Sequence, residues 1–198
     1  MSTRGFFRRR SEAPDGRLPP GQYVEGGFPV LSAGPTPHTP LEQWDLSITG
    51  AISEERTWTW DEFQALESED FTVDIHCVTT WTKLDTQWTG VSVDTLLDGV
   101  ELEGGYLTAL CDGGYTTNLP VEDVTGGKAW VVYAYDGDEL EPEHGGPARL
   151  LVPHLYFWKS AKWVRRLIFS EDDDPGFWEQ LGYHDRGDPW LEQRYQGD

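Results

Sequence analysis

From Trp44 onward the chain is written in short alternating runs of apolar and polar residues. WDLSITGAI alternates and then closes on a turn, and FTVDIHCVTTW is dense in β-branched and aromatic residues, so both predict strands. GYLTALC, YTTNLP, KAWVVYAY, ARLLVP and KWVRRLIFS predict five more, separated by Gly-rich or acidic turns. TWDEFQALES predicts a short helix opening near Trp60 or Asp61, and VSVDTLLDGV a second with Ser92 as its N-cap. No repeat and no regular βαβ alternation is visible, which points to an α+β domain around a mixed or antiparallel sheet.

The two ends differ from this middle. Residues 1–40 carry seven of the 13 prolines and read as an extended lead-in, flexible over residues 1–17, with a single domain expected over 18–198. The segment from Glu171 onward holds nine acids and several large aromatics, and Phe177, Trp178, Tyr183 and Trp190 are expected to wrap it over the core.

Charge narrows the function. The 198 residues include 35 Asp and Glu against 15 Lys and Arg, a net −20, which argues against nucleic-acid partners and anionic membrane. No apolar stretch is long enough to span a bilayer, and the first residues lack the apolar core of a signal peptide, so neither membrane insertion nor export is expected and the cytoplasm is the expected compartment. Only 4 of the 15 basic residues are Lys and the acids are scattered through the loops, which reads as a surface adapted to molar salt, that of a halophile. The rival reading is an acidic docking face for a basic partner.

Against this background, residues 144–169 contain Arg149, Lys159, Lys162, Arg165 and Arg166 and no acid, a local +5. Arg165 and Arg166 are expected to pair with surrounding acids. Arg149, Lys159 and Lys162, set among His144, His154, Ser160 and the glycines at 145–146, offer a forked cation, point charges and close backbone approach, which suits a phosphate or pyrophosphate. Neither GxGxxG nor GxxxxGK[ST] occurs. Cys77 and Cys111 lack CxxC spacing and are too few for a disulfide scaffold. Each reads as a buried small hydrophobe, and adjacent His76 and Cys77 do not make a zinc site, because neighbours on a strand face opposite ways. A lone thiolate can still anchor a transition metal whose other ligands come from a cofactor.

The series DIHCVTTW, DGGYTTNLP, VVYAYDG, EHGGPARLLVP and FWKSAKWV resembles, in order and interval, the molybdopterin domain of the sulfite oxidase family. The runs LPPGQYVEGGFPVL and GFWEQLGYHDRGDPW extend the resemblance, over residues 18–195, to its short stand-alone members. The resemblance implies the sulfite oxidase molybdopterin-domain fold, mixed β-sheets with few short helices, and a molybdenum-molybdopterin cofactor. It implies Cys77 as the metal ligand, Tyr133 as the catalytic tyrosine, and Thr116, His144, Arg149, Lys159, Ser160, Ala161 and Lys162 as cofactor contacts, the contact at Thr116 being open among the triplet Tyr115, Thr116 and Thr117. Two departures stand out. Thr79, Thr80, Trp81 and Thr82 occupy the neighbourhood where sulfite oxidases place a substrate-binding Arg, and Phe28, Pro29, Val30 and Leu31 replace a polar segment. The implied chemistry is oxygen-atom transfer on a small-molecule substrate, with electrons exchanged with a separate electron-transfer protein. The alternatives are a pterin-binding member without turnover and a non-catalytic module in which ten Trp and eight Tyr form stacking platforms.

Overall fold

The computed structural model describes residues 16–198, so residues 1–15 of the expected lead-in lie outside the described residues. Eleven strands are present among them: β1 (Tyr23–Val24), β2 (Asp45–Gly50), β3 (Arg56–Thr59), β4 (Glu69–His76), β5 (Trp81–Ser92), β6 (Tyr106–Cys111), β7 (Thr116–Pro120), β8 (Trp130–Tyr135), β9 (Asp138–Glu139), β10 (Arg149–Leu151) and β11 (Val164–Ser170). Two short helices join them, α1 (Trp60–Gln64) and α2 (Val93–Leu96). The fold is therefore mostly sheet, and α+β describes it only coarsely.

Local chemistry sets the helix starts. Thr59 caps α1, its hydroxyl accepting from the Glu62 amide while the Glu62 carboxylate accepts from the Thr59 amide, a reciprocal capping box. Ser92 caps α2 by accepting from the Thr95 amide at 3.0 Å. Neither helix can lengthen far, because each sits directly between strands.

The strands form two mixed sheets. A five-stranded sheet runs β3-β2-β11-β6-β7, with β2 and β11 parallel and the other pairs antiparallel. In the other sheet β5 is central: β4 pairs along one edge, while parallel β1 and antiparallel β8 share the opposite edge, with β10 beyond β8. Side chains from both sheets, among them Leu46, Ile48, Val91, Leu107, Val131, Leu150 and Leu167, meet in the main core. Trp81, Trp88, Trp130, Val132 and Leu151 pack a second core on the far face of the β5 sheet. Burial on both faces explains why KAWVVYAY and ARLLVP are continuously apolar rather than alternating.

The sequence reading merged β4 with the start of β5. FTVDIHCVTTW is in fact a strand, a turn at residues 77–80 and the opening of a 12-residue strand. The turn closes through Cys77 N–H to Trp81 carbonyl at 2.8 Å and Thr80 N–H to Cys77 carbonyl at 3.0 Å, with Thr80 at φ 77°. It places Cys77 at a hairpin tip beside the second core. Among the described residues, no helix is long and apolar enough to cross a membrane.

Candidate active site

A cleft of about 650 Å3 opens at the end of the second core, within the range of cofactor sites. Its lining brings Cys77, at the β4–β5 hairpin tip, together with His144, Arg149, Ser160, Ala161 and Lys162, which lie more than 60 residues later. Strands β8, β10 and β11 and the loops between them deliver that second group. The acid-free window and the hairpin thus meet at one cavity.

Arg149 is the centre of its positive side. The residue is 1% exposed, yet its partners are backbone carbonyls rather than carboxylates: Nη1 donates to the His144 carbonyl at 2.7 Å and Nη2 to the Ser160 carbonyl. Its guanidinium lies 4.1 Å from the Phe157 ring centroid, and Nε is buried without a partner. Burial pushes the guanidinium down to about 9, which still leaves it a cation at neutral pH. A buried cation without a counter-charge, in a chain with 35 acids, is costly unless an anion completes it.

Lys162 supplies a second charge, its Nζ donating to the carbonyls of Glu143 (2.6 Å) and Leu31 (2.8 Å) and lying 5.5 Å from the Trp163 ring. Burial, with Arg149 nearby, pushes its pKa down to about 8. His144 is lowered by burial and by the same two cations, so its imidazole is neutral, and its buried Nδ1 has no partner. Gly145 makes this crowding possible: at φ 113°, a Cβ there would stand 3.0 Å from the Cβ atoms of both Arg149 and Lys162. Buried Arg149, without a counter-charge and with Lys162 beside it in the lining, is a cationic set that suits a pterin phosphate, so the residues fit the cofactor.

On the opposite side, Cys77 is 7% exposed and its Sγ lies 3.1 Å from the Thr79 hydroxyl. Burial pushes its thiol up, a cost that metal ligation would offset. Trp81, Phe157, Trp158, Phe177, Trp178 and Tyr183 make the walls largely aromatic.

Three expected site residues stand elsewhere. Tyr133 does not line the cleft: strand alternation turns it toward the inter-sheet core, where it packs edge-on to Trp60 and Phe63 and its hydroxyl meets Ser68 Oγ at 3.2 Å. Lys159 is fully buried in an ion pair with Glu179 at 2.6 Å and donates to the Asn118 carbonyl, so it braces the cleft from behind instead of facing a phosphate. Thr116 contributes its carbonyl to the Phe177 amide, and Tyr115 is the residue of that triplet in the lining, its hydroxyl donating to the Trp158 carbonyl at 2.7 Å.

The sequence reading did not single out residues 31–37, Asp112–Gly114 or Trp163 as lining. Gly113 and Gly114, both at positive φ, were the available signal for a close backbone approach. The proline-rich strap at 31–37 has no periodicity to read. Arg165 does pair with acids, Asp45 at 2.6 Å and Asp112 at 3.1 Å, whereas Arg166 bonds the Ser47 hydroxyl.

Comparisons with known proteins give the family. The family described as "Oxidoreductase molybdopterin binding domain" matches residues 33–178. An uncharacterized oxidoreductase, YuiH, of Bacillus subtilis is 41% identical over 98% of this chain and 99% of its own length. Sulfite oxidase of Gallus gallus is 34% identical over 49% of this chain and 24% of its own, and a protein-methionine-sulfoxide reductase subunit, YedZ1 (putative in its own naming), of Azospira oryzae is 28% identical over 70% and 53%. The chain thus spans about half or less of those two. The sulfane dehydrogenase SoxCD of Paracoccus pantotrophus shares the fold, with a TM-score of 0.63 at 21% identity over 70% of this chain and 41% of that one. The chain belongs to the oxidoreductase molybdopterin-binding domain family, and its cofactor is molybdopterin.

Proposed function

We propose that the chain is a molybdenum-dependent oxidoreductase in which the Cys77 thiolate ligates the metal and the cationic side of the cleft holds the pterin phosphate. One observation carries this reading: Cys77 shares a cavity with Arg149, a buried cation without a carboxylate partner, and with His144 and Lys162. Bound there, the cofactor supplies two-electron redox chemistry for oxygen-atom transfer.

The chain's own residues do the rest. Arg149, already fixed by two carbonyls, brings a positive charge without a counter-ion to the anion; Lys162 adds a point charge, and Ser160 and Ala161 offer close backbone. The Thr79 hydroxyl hydrogen-bonds the Cys77 sulfur and tunes its donor strength. Trp81, Phe157 and Trp178 exclude water from the reacting end. Arg149 and Lys162, the two lining residues that are full cations, are both assigned to the cofactor. A neutral S- or N-oxide therefore suits the remaining aromatic space better than sulfite, which would be left without charge-assisted contacts. Electrons pass to or from a separate carrier protein.

The test is metal analysis and visible absorption of the full chain purified from a molybdopterin-competent host. Near-stoichiometric molybdenum and a thiolate-to-metal band, the band lost in Cys77→Ser with the melting temperature nearly unchanged, support the reading. Protein lacking both molybdenum and the band overturns it. Sulfite compared with S- and N-oxides on metal-replete protein separates the substrate classes.

A further inference from the structure

The last segment of the chain builds a surface that the cleft does not use. Leu181, Trp190, Leu191 and Tyr195 are 64%, 45%, 63% and 54% exposed, half of the large hydrophobics found exposed among the described residues. They belong to one folded unit. Tyr183 and Tyr195 form an antiparallel bridge with ring centroids 5.4 Å apart, the His184 amide donates to the Arg194 carbonyl, and the Gln196 amide donates to the Gly182 carbonyl. Exposed Asp185, Glu192 and Asp198 lie among these residues. The basic residues in the segment are already engaged: Arg186 pairs with Asp123, and Arg194 bonds the Val78 carbonyl and lies over the Tyr156 ring.

This unit is tied to the hairpin that carries Cys77. Arg194 Nη1 donates to the Val78 carbonyl at 2.5 Å, the Trp190 ring lies 6.2 Å from that of His76, and Tyr183 lines the cleft together with Cys77. Those contacts flank Cys77 on both sides in sequence. The segment that exposes these apolar and acidic side chains is therefore bonded directly to the hairpin that carries Cys77.

We infer that the Trp190–Tyr195 surface docks a basic one-electron carrier protein whose redox cofactor edge is exposed. The inference rests on the proposed function, since it names the partner of that site. Charge selects the occupant: exposed apolar residues with exposed acids in the same segment complement a carrier with an apolar edge ringed by lysines, and repel a second copy of this −20 chain. Two carrier molecules per turnover, each taking or giving one electron, balance the two electrons exchanged with substrate.

The probe is mammalian-type cytochrome c, a basic carrier, titrated with the full chain and followed by the NMR shifts of the cytochrome. Binding that weakens with added salt is expected. Trp190→Arg and Leu191→Arg, separately, should weaken it about tenfold or more, whereas Leu41→Arg, at an exposed residue outside the segment, should not. The rate at which dithionite-reduced, desalted protein reduces ferricytochrome c should fall in parallel, with molybdenum content unchanged. Equal effects from all three variants, no effect from the first two, or dimerisation through the patch in sedimentation overturns the docking surface. Protein without molybdenum that still binds cytochrome c through Trp190 overturns the proposed function and leaves the surface standing.

Discussion

The Phe28 ring stacks on the His144 imidazole with centroids 3.9 Å apart and planes 13° from parallel. Phe28 also meets Trp81, Trp88, Tyr135 and Phe157 within 6.5 Å. A residue that looked like a loss relative to sulfite oxidases is thus the support that fixes a neutral histidine against the cleft. Phe28→Ala should cost about 1–3 kcal/mol, less than for a fully buried Phe because the ring is partly exposed. Urea unfolding measures that cost, and purified Phe28→Ala protein should retain less molybdenum per chain than the parent.

Lys159 and Glu179 form the buried brace between the FWKSAKWV loop and the last segment, both side chains 0% exposed, and Glu179 Oε1 also accepts from Thr117 and Trp158. Lys159→Met or Glu179→Gln alone leaves one buried charge without its partner and should cost about 3–5 kcal/mol. The double variant should cost clearly less than the sum of the two, which a double-mutant cycle in urea will show. Additive losses would mean that the two groups are not coupled.

Lys162 makes the stability of the cofactor-free chain depend on alkaline pH. Its folded pKa of about 8 lies below the ordinary 10.5, so between these values the unfolded chain binds more protons than the folded one. The penalty for burying the charge is present in full below about pH 8 and disappears as pH climbs toward 10.5, so stability rises through that window. Lys162→Met should flatten the rise, as read from urea midpoints in the wild type and the variant.

The acid excess gives a salt prediction. Raising salt from about 0.1 M to about 1 M shortens the screening length from ~10 Å to ~3 Å and relieves the self-repulsion of a −20 chain. The melting temperature should rise across that range, with neutral sucrose at equal osmolality as the control for simple exclusion effects. A flat profile would remove salt adaptation as the reason for the acidity.

Much of the fold was legible because its cues are local. Ser92 and the Thr59–Glu62 pair mark helix starts through their own hydroxyls and carboxylates, and the apolar runs mark strands. The β4–β5 turn was hidden because TTW continues the β-branched and aromatic character of FTVDIHCV, and the reversal depends on backbone bonds that no residue type announces. At the site, Arg149 and Lys162 were visible as charges kept where the chain otherwise discards them, but so was Lys159, which differs only in having Glu179 twenty residues later to pair with. Tyr133 shows the other limit: resemblance gives a position in a motif, while strand parity decides which way the side chain faces.

Part of the cleft's rim comes from two distant stretches of chain, Phe28 with the strap at 31–37 and Phe177 through Tyr183. During synthesis on the ribosome, the first rim waits for the second across nearly the whole domain. On the proposed reading, a cofactor delivered before residue 183 has emerged would meet a cleft that still lacks Phe177, Trp178 and Tyr183, so that reading ties loading to a chain whose last segment has already closed over the site.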